Sequence, residues 1–349
     1  MARLLYITSS AHSGSTLTDL LIGTLPRAVS TGELKHLPHL LSNRHDDTTE
    51  DGNACSCLNS LAKCPFWSRV VDRLVERTGI DIWSAPTRFN VNLMCGHYQG
   101  RRRSLRRKFE PRGVYGHVIQ HRIWRWIQPL WNALYRRRVR NNWLLFDTIA
   151  RVAGAEVVVD SSKDIRRLNM LCTHRRDDVS VIMLMRSLPG CAHSAARRKR
   201  TITHYAKSWV RHNNRIYRLL RQMPDLPVLP LQYENLVCDP VAARRRIARF
   251  LGLPDPGESI DIDTHNYHLI RGNRLRYAGQ VEISPRDRWQ DKTDDETLRM
   301  FRTIAVRLHP GLLEMGLDPF ATFSPGPENP GSTTSPDSER TTPMASDPR

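Results

Sequence analysis

"SSAHSGSTLTDLLIG", residues 9–23, follows the apolar run Leu4-Leu5-Tyr6-Ile7 and opens a pattern in which Leu17, Leu20 and Leu21 recur at helical spacing. A strand, a tight turn and a helix are therefore expected here, with Gly14 at the turn among the hydroxyls of Ser9, Ser10, Ser13, Ser15 and Thr16. The first N–H groups of a helix have no partners within it and carry the positive end of its dipole, so such a turn can seat a phosphate. Gly14 lets the backbone approach an anion closely, and Ser13, Ser15 and Thr16 offer hydroxyl donors. An ordinary capped turn would be built from the same residues. A Walker-type loop would continue Gly-Lys-Ser/Thr, whereas Gly14 is followed by Ser15 and Thr16, and the nearest cation-forming side chain is His12.

Beyond this turn, the chain alternates strand-like and helix-like stretches. Ala28-Val29-Ser30 reads as a short strand ending at Thr31-Gly32-Glu33, and Pro65–Thr78 as a helix stopped by Gly79. "EVVVDSSK" (156–163) and "VSVIMLMR" (179–186) are apolar runs that end abruptly in polar residues, as central parallel strands do. "LPVLPLQYENL" (226–236) reads as another strand, Val241–Leu251 as a helix, and a further helix is expected between Trp289 and Leu308. The pattern predicts one α/β domain over 1–323, interrupted by a basic helical insertion at about 87–142. The Pro-, Ser- and Thr-rich residues 324–349 read as a disordered tail.

Of the net charge of +18 on 349 residues, +12 lies between Tyr98 and Arg140, in "RRRSLRRK" (101–108) and the Trp-rich stretch 117–140. There Ile119, Ile123, Trp126, Ile127, Leu130 and Leu134 share a helical face, and Pro129 is expected to bend it. So local an excess points to an anionic partner at one place, such as an acidic acceptor or peripheral contact with an anionic membrane surface, and not to nucleic acid. A plain solvated face has the same composition. Without a signal-like leader or an apolar run of about 20 residues, the expected location is cytoplasmic. Seven cysteines in such a chain do not suggest a disulfide framework. Cys55, Cys57 and Cys64 form the one cluster; with only His45 close in sequence as a fourth ligand, reduced thiols in a packed loop are the preferred reading over zinc.

In parallel sheets, ligands bind beyond the carboxyl ends of the strands. The residues at those ends are His12 to Thr16, Gly32-Glu33, Asp160 to Lys163, and Arg186 with Ser194 eight residues on. Together with "YENLVCDPVAARRRIARFLGLP" (233–254) and "GNRLR" (272–276), this order of motifs resembles the sulfotransferases that use 3′-phosphoadenosine 5′-phosphosulfate (PAPS). The resemblance spans about residues 3–320 and is nearest to the tyrosylprotein and related bacterial enzymes.

The resemblance implies a P-loop-like three-layer sandwich, with a central mostly parallel sheet flanked by helices. It further implies that His12, Ser13, Gly14, Ser15 and Thr16 hold the 5′-phosphosulfate, that Arg186 and Ser194 grip the 3′-phosphate, and that Arg274 and Arg276 approach the nucleotide. Glu33 would be the general base on an acceptor hydroxyl. Lys163 would stabilise the leaving charge, and no metal would be needed for the transfer. His12 stands where the family commonly has Lys or Arg; it could act as a general acid or simply cap the turn. Two other classes share parts of the pattern: a P-loop-like nucleotide or sugar kinase, and a non-catalytic basic protein binding anionic lipid or nucleic acid. The first lacks its Gly-Lys-Ser/Thr, and the second has no use for Glu33, Lys163, Arg186 and Ser194 in one pocket. The acceptor's class is not written in these motifs.

Overall fold

The computed structural model describes residues 1–43, 54–91, 124–196, 201–285, 289 and 293–323, with only the backbone described at 124–132 and 134. The basic run 101–108, His45 and the tail 324–349 lie outside the described residues.

Five strands form one sheet: β1 (Arg3–Ser9), β2 (Ala28–Ser30), β3 (Val157–Asp160), β4 (Val179–Met185) and β5 (Val228–Gln232). Their order is β2-β3-β1-β4-β5 and every pairing is parallel, with Leu5 beside Val159 on one side and Ser180 on the other. Successive side chains of a strand point to opposite faces, and here both faces are covered. Leu4, Tyr6, Val158, Val181, Met183 and Met185 join one apolar cluster, while Leu5, Ile7, Val157, Val159, Ile182 and Leu184 join the other. Unbroken apolar runs are thus what the sheet requires, and this is why the strands stand out in the sequence as short Val/Ile/Leu blocks.

Among the described residues the α-helices are α1 (Ser15–Gly23), α2 (Leu37–Ser42), α3 (Pro65–Thr78), α4 (Trp124–Ala153), α5 (Ile165–Leu171), α6 (Leu188–Ala196), α7 (Ile202–Arg221), α8 (Tyr233–Cys238), α9 (Pro240–Leu251), α10 (Asp295–Ala305) and α11 (Pro310–Glu314). Sequence and structure differ in several places, three of which bear on the site and the core. The run 226–236 is not strand throughout: the chain leaves β5 at Gln232 and turns at once into α8, with Glu234 in its first turn. α7 was not anticipated; it buries Tyr205, Trp209, Ile216 and Leu219 along one side. The helix expected to close the basic insertion near 142 runs on to Ala153, and its later residues Trp143, Phe146 and Ile149 are core.

After β2 the chain returns to β3 on one side of β1, then crosses to β4 on the other. The reversal leaves a crevice beyond the carboxyl ends of β1 and β4, where a parallel sheet binds its ligands.

Candidate functional site

The turn after β1 opens this crevice. Gly14 has φ +84°, and a Cβ there would lie 2.1 Å from Cε2 of Tyr233, so both the backbone conformation and the adjacent ring demand glycine. His12 also has positive φ (68°), as does Lys163 (64°) in the turn after β3. Non-glycine residues held there cost about 1–3 kcal/mol each and gather at functional sites.

Lys163 is aimed by a buried polar network. Asp160 ends β3, fully buried, and pairs with the equally buried Arg167 of α5 (Oδ2–Nε 2.8 Å). Its other oxygen accepts from the Ser162 backbone N–H at 3.0 Å. Asp164 caps α5 by accepting from the N–H groups of Arg166 and Arg167. Between these two anchors the chain is fixed, and Lys163 Nζ reaches across the crevice to donate to Ser15 Oγ (2.9 Å) and to pair with Glu33 Oε1 (2.7 Å).

Glu33 is held from behind. Gly32 has φ +77°, and a Cβ on it would meet the Ile270 carbonyl oxygen at 2.3 Å; Glu33 N–H donates to that oxygen at 2.8 Å. Lys35 Nζ and His36 Nε2 each lie 3.2 Å from Glu33 Oε2. Burial opposes ionisation of Glu33, but Lys163, the His36 hydrogen bond and Lys35 outweigh it and keep the carboxyl well below the usual range. Burial likewise pushes His36 below its ordinary value, against the pull of Glu33.

On the β4 side, Arg186 follows the strand and its guanidinium lies over the Tyr233 ring, 4.7 Å from the centroid. Gly190 makes room for it, since a Cβ there would be 2.9 Å from Arg186 Nε. That nitrogen is buried without a hydrogen-bond partner. Leaving such a donor unsatisfied is costly, and an anion in the cleft is the simplest group to satisfy it.

These pieces line one cleft of about 860 Å³. It brings together His12, Gly14, Ser15, Thr16, Glu33, Lys163, Arg186 and Ser194 from the sequence-derived set. Ser13, Arg274 and Arg276 are not among its lining residues. The Ser13 hydroxyl is buried and shares a 2.6 Å hydrogen bond with Ser10 Oγ. Arg276, 1% exposed, donates to the Gly272 and Asn273 carbonyls and to the Tyr277 hydroxyl, so it braces the late loop from behind. Gly272, Asn273 and Leu275 of that loop do face the cleft, and Asn273 N–H donates to Thr16 Oγ1 at 3.0 Å.

Sequence reasoning missed Lys35, His212, Arg215 and Tyr233, all of which line the cleft. His212 and Arg215 are three apart on α7, a spacing that shares a helix face and would have linked them once the helix was seen. Five cationic side chains (Lys35, Lys163, Arg166, Arg186, Arg215) face two carboxylates (Glu33, Asp164), so the cleft favours a polyanion.

Residues 169–257, from α5 to just beyond α9, match the model of a family described as the sulfotransferase family. Among solved structures, the chain is similar to the sulfotransferase domain of the Synechococcus PCC 7002 olefin synthase at 18% identity and TM-score 0.41, over 86% of this chain and 94% of that one. It is similar to the sulfotransferase domain of the curacin biosynthetic pathway at 14% identity and TM-score 0.47, over 91% and 99%. The sulfotransferase STF1 of Mycobacterium tuberculosis H37Rv stands at 13% and 0.37, over 73% and 68%. None of the curated proteins matches the sequence.

Proposed function

We propose that this sulfotransferase-family chain moves a sulfuryl group from PAPS to an acceptor hydroxyl by in-line displacement. The observation that carries the reading is Lys163: one ammonium touches both the Ser15 hydroxyl of the anion-binding turn and the Glu33 carboxylate. A donor anion seated on the turn would compete with Glu33 for that charge. As Lys163 turns toward the donor, Glu33 loses the attraction that holds its carboxyl low, and its basicity rises where an acceptor proton has to be taken. The same residue thereby supplies positive charge where it develops on the leaving oxygen.

The remaining cleft residues fit the two phosphate ends of such a donor. Ser15, Thr16 and the α1 N-terminus suit the 5′ end. The orphaned Nε of Arg186, with Ser194 also in the cleft wall, suits the 3′-phosphate. The transfer breaks one S–O bond and forms another, while the acceptor proton passes to Glu33.

Calorimetry with 3′-phosphoadenosine 5′-phosphate tests the donor assignment. Arg186→Ala is expected to weaken binding by about 1.5–3 kcal/mol, the range for hydrogen bonds to charged groups. ATP, which has no 3′-phosphate, is expected to show no such difference between wild type and variant. Equal affinity of both proteins for the 3′-phosphorylated nucleotide would remove the clamp and with it the reading.

A further inference from the structure

Away from the cleft, the loop 54–64 brings three thiols together. Cys57 Sγ lies 3.6 Å from Cys64 Sγ, and Cys64 Sγ lies 3.7 Å from Cys55 Sγ. These are far longer than the ~2.05 Å of a disulfide. The fourth group comes not from the neighbourhood of His45 but from 204 residues further along: His268 Nδ1 lies 3.4 Å from Cys64 Sγ and 3.8 Å from Cys55 Sγ. All four atoms lie within 4.8 Å of one another.

A zinc ion with Zn–S near 2.3 Å and Zn–N near 2.05 Å, bound tetrahedrally, sets its ligand atoms about 3.8 Å apart for S···S and about 3.5 Å for S···N. The two S···S spacings of 3.6 and 3.7 Å and the S···N spacings of 3.4 and 3.8 Å lie close to these values. Thiols in simple contact could stand at similar distances pairwise; what marks the cluster is that three of them and an imidazole nitrogen from a distant segment all gather within 4.8 Å of one another.

The surroundings orient the ligands as a metal centre requires. The His268 ring stacks on Phe66 (centroids 4.9 Å apart, planes 1° apart), and its carbonyl accepts from Trp67 Nε1 at 2.9 Å. Asn59 Nδ2 donates to the Cys57 carbonyl at 3.1 Å and lies 3.7 Å from its sulfur. Leu58, between the second and third thiols, is held at φ 66° with its side chain exposed, a strained position at which the chain turns back so that Asn59 meets Cys55. The Leu58 and Cys55 N–H groups donate to the Cys55 and Asn59 carbonyls at 2.9 and 2.8 Å.

We propose that Cys55, Cys57, Cys64 and His268 bind one Zn²⁺ as a closed structural site. Binding exchanges three thiol protons for the ion, and neutral His268 completes the tetrahedron. With no ligand position left open, the site does not do hydrolytic chemistry. Its effect is to clip the loop before α3 to the strip 267–273. That strip bonds Thr31 and Glu33 through Ile270 and lines the cleft at Gly272 and Asn273. A sequence-distant cross-link therefore fixes the wall behind Glu33, whatever reaction the cleft performs.

The test uses the full chain, purified with a non-metal reductant and dialysed against metal-free buffer, and elemental analysis for zinc. One zinc per chain is expected, with retention against a mild chelator at least about ten-fold weaker in Cys57→Ser and in His268→Ala. Cobalt in place of zinc is expected to give the intense visible bands of a tetrahedral thiolate site, which reads the geometry in wild type even if the variants fail to fold. Folded protein without zinc whose three thiols are fully reactive would overturn the proposal. So would zinc retained undiminished by both variants, iron in place of zinc, or the weak spectrum of octahedral cobalt.

Discussion

The cleft and the thiol cluster are both built from polar groups brought close together, yet they are satisfied in opposite ways. In the cleft, cations outnumber carboxylates, Arg186 Nε is buried without a partner, and Lys163 is shared between Ser15 and Glu33. In the cluster, four ligand atoms lie within 4.8 Å of one another, and His268 and Cys57 are held from behind by Phe66 and Asn59. The first arrangement is incomplete by itself and suits a ligand that arrives and leaves. The second is complete once a resident ion is present. On the two proposals, the difference separates a site that performs chemistry from one that holds a shape, and it is drawn from unsatisfied capacity rather than from residue type.

The contrast breaks most sharply at Glu33. If the cleft is catalytic, Glu33→Gln is expected to lower kcat by about 10²–10⁴-fold, the usual range for loss of a general base. Affinity for 3′-phosphoadenosine 5′-phosphate should hold or rise, because one of two carboxylates facing the nucleotide has been neutralised. Steady-state kinetics beside calorimetry separate the two effects. A variant with wild-type kcat would pass the base role to another group, His36 being the neighbour already hydrogen-bonded to Glu33.

Lys163→Ala is expected to cost about 10²–10³-fold in kcat, as removal of a single group stabilising developing charge does. Its signature in pH is more telling. The acid limb of kcat/KM for the donor reports the free enzyme, in which Lys163 helps to hold Glu33 well below the usual carboxylate range. Without Lys163 the carboxyl titrates higher, so the acid limb should move to higher pH and the variant should lose most activity, relative to wild type, at the acid end. An unmoved limb would uncouple the two residues.

Much of this was legible in the sequence, for a physical reason. A parallel sheet covered on both faces needs unbroken apolar strands, and its ligands bind where those strands stop, so the strand ends at His12, Glu33, Lys163 and Arg186 announce themselves locally. What was missed depends on folding. Tyr233 was read as the continuation of a strand, because nothing in "PLQYENL" separates β5 from α8 except the helix-favouring Glu234. His212 and Arg215 reach the cleft only through α7. His268 meets its three cysteines from 204 residues away, a distance over which spacing carries no information. A cationic side chain near a nucleotide motif reads as a ligand, and spacing alone does not show that Arg276 also braces the loop's own carbonyls.

The smallest effect concerns a second carboxyl, the counterpart of Glu33. Asp19 is buried in α1, accepts from Ser161 Oγ at 2.6 Å on one oxygen, and has no partner on the other. Where lysines hold Glu33 low, burial pushes Asp19 up from 3.8 to about 7, against the hydrogen bond of Ser161. A carboxyl with a raised folded pKa keeps a proton that the unfolded chain has already released, so its contribution to stability is full below about pH 4 and is lost as pH rises to about 7. Between pH 6 and 7 the wild type is expected to lose about 1 kcal/mol for this reason, with the slope fading over the next pH unit. Asp19→Asn keeps the shape without the titration, so its denaturant-unfolding free energy should lack that slope and the gap between the two proteins should move in favour of the variant as pH rises. If the gap is the same at pH 5 and pH 8, Asp19 is ionised throughout the range, and the contrast between the two carboxyls fails.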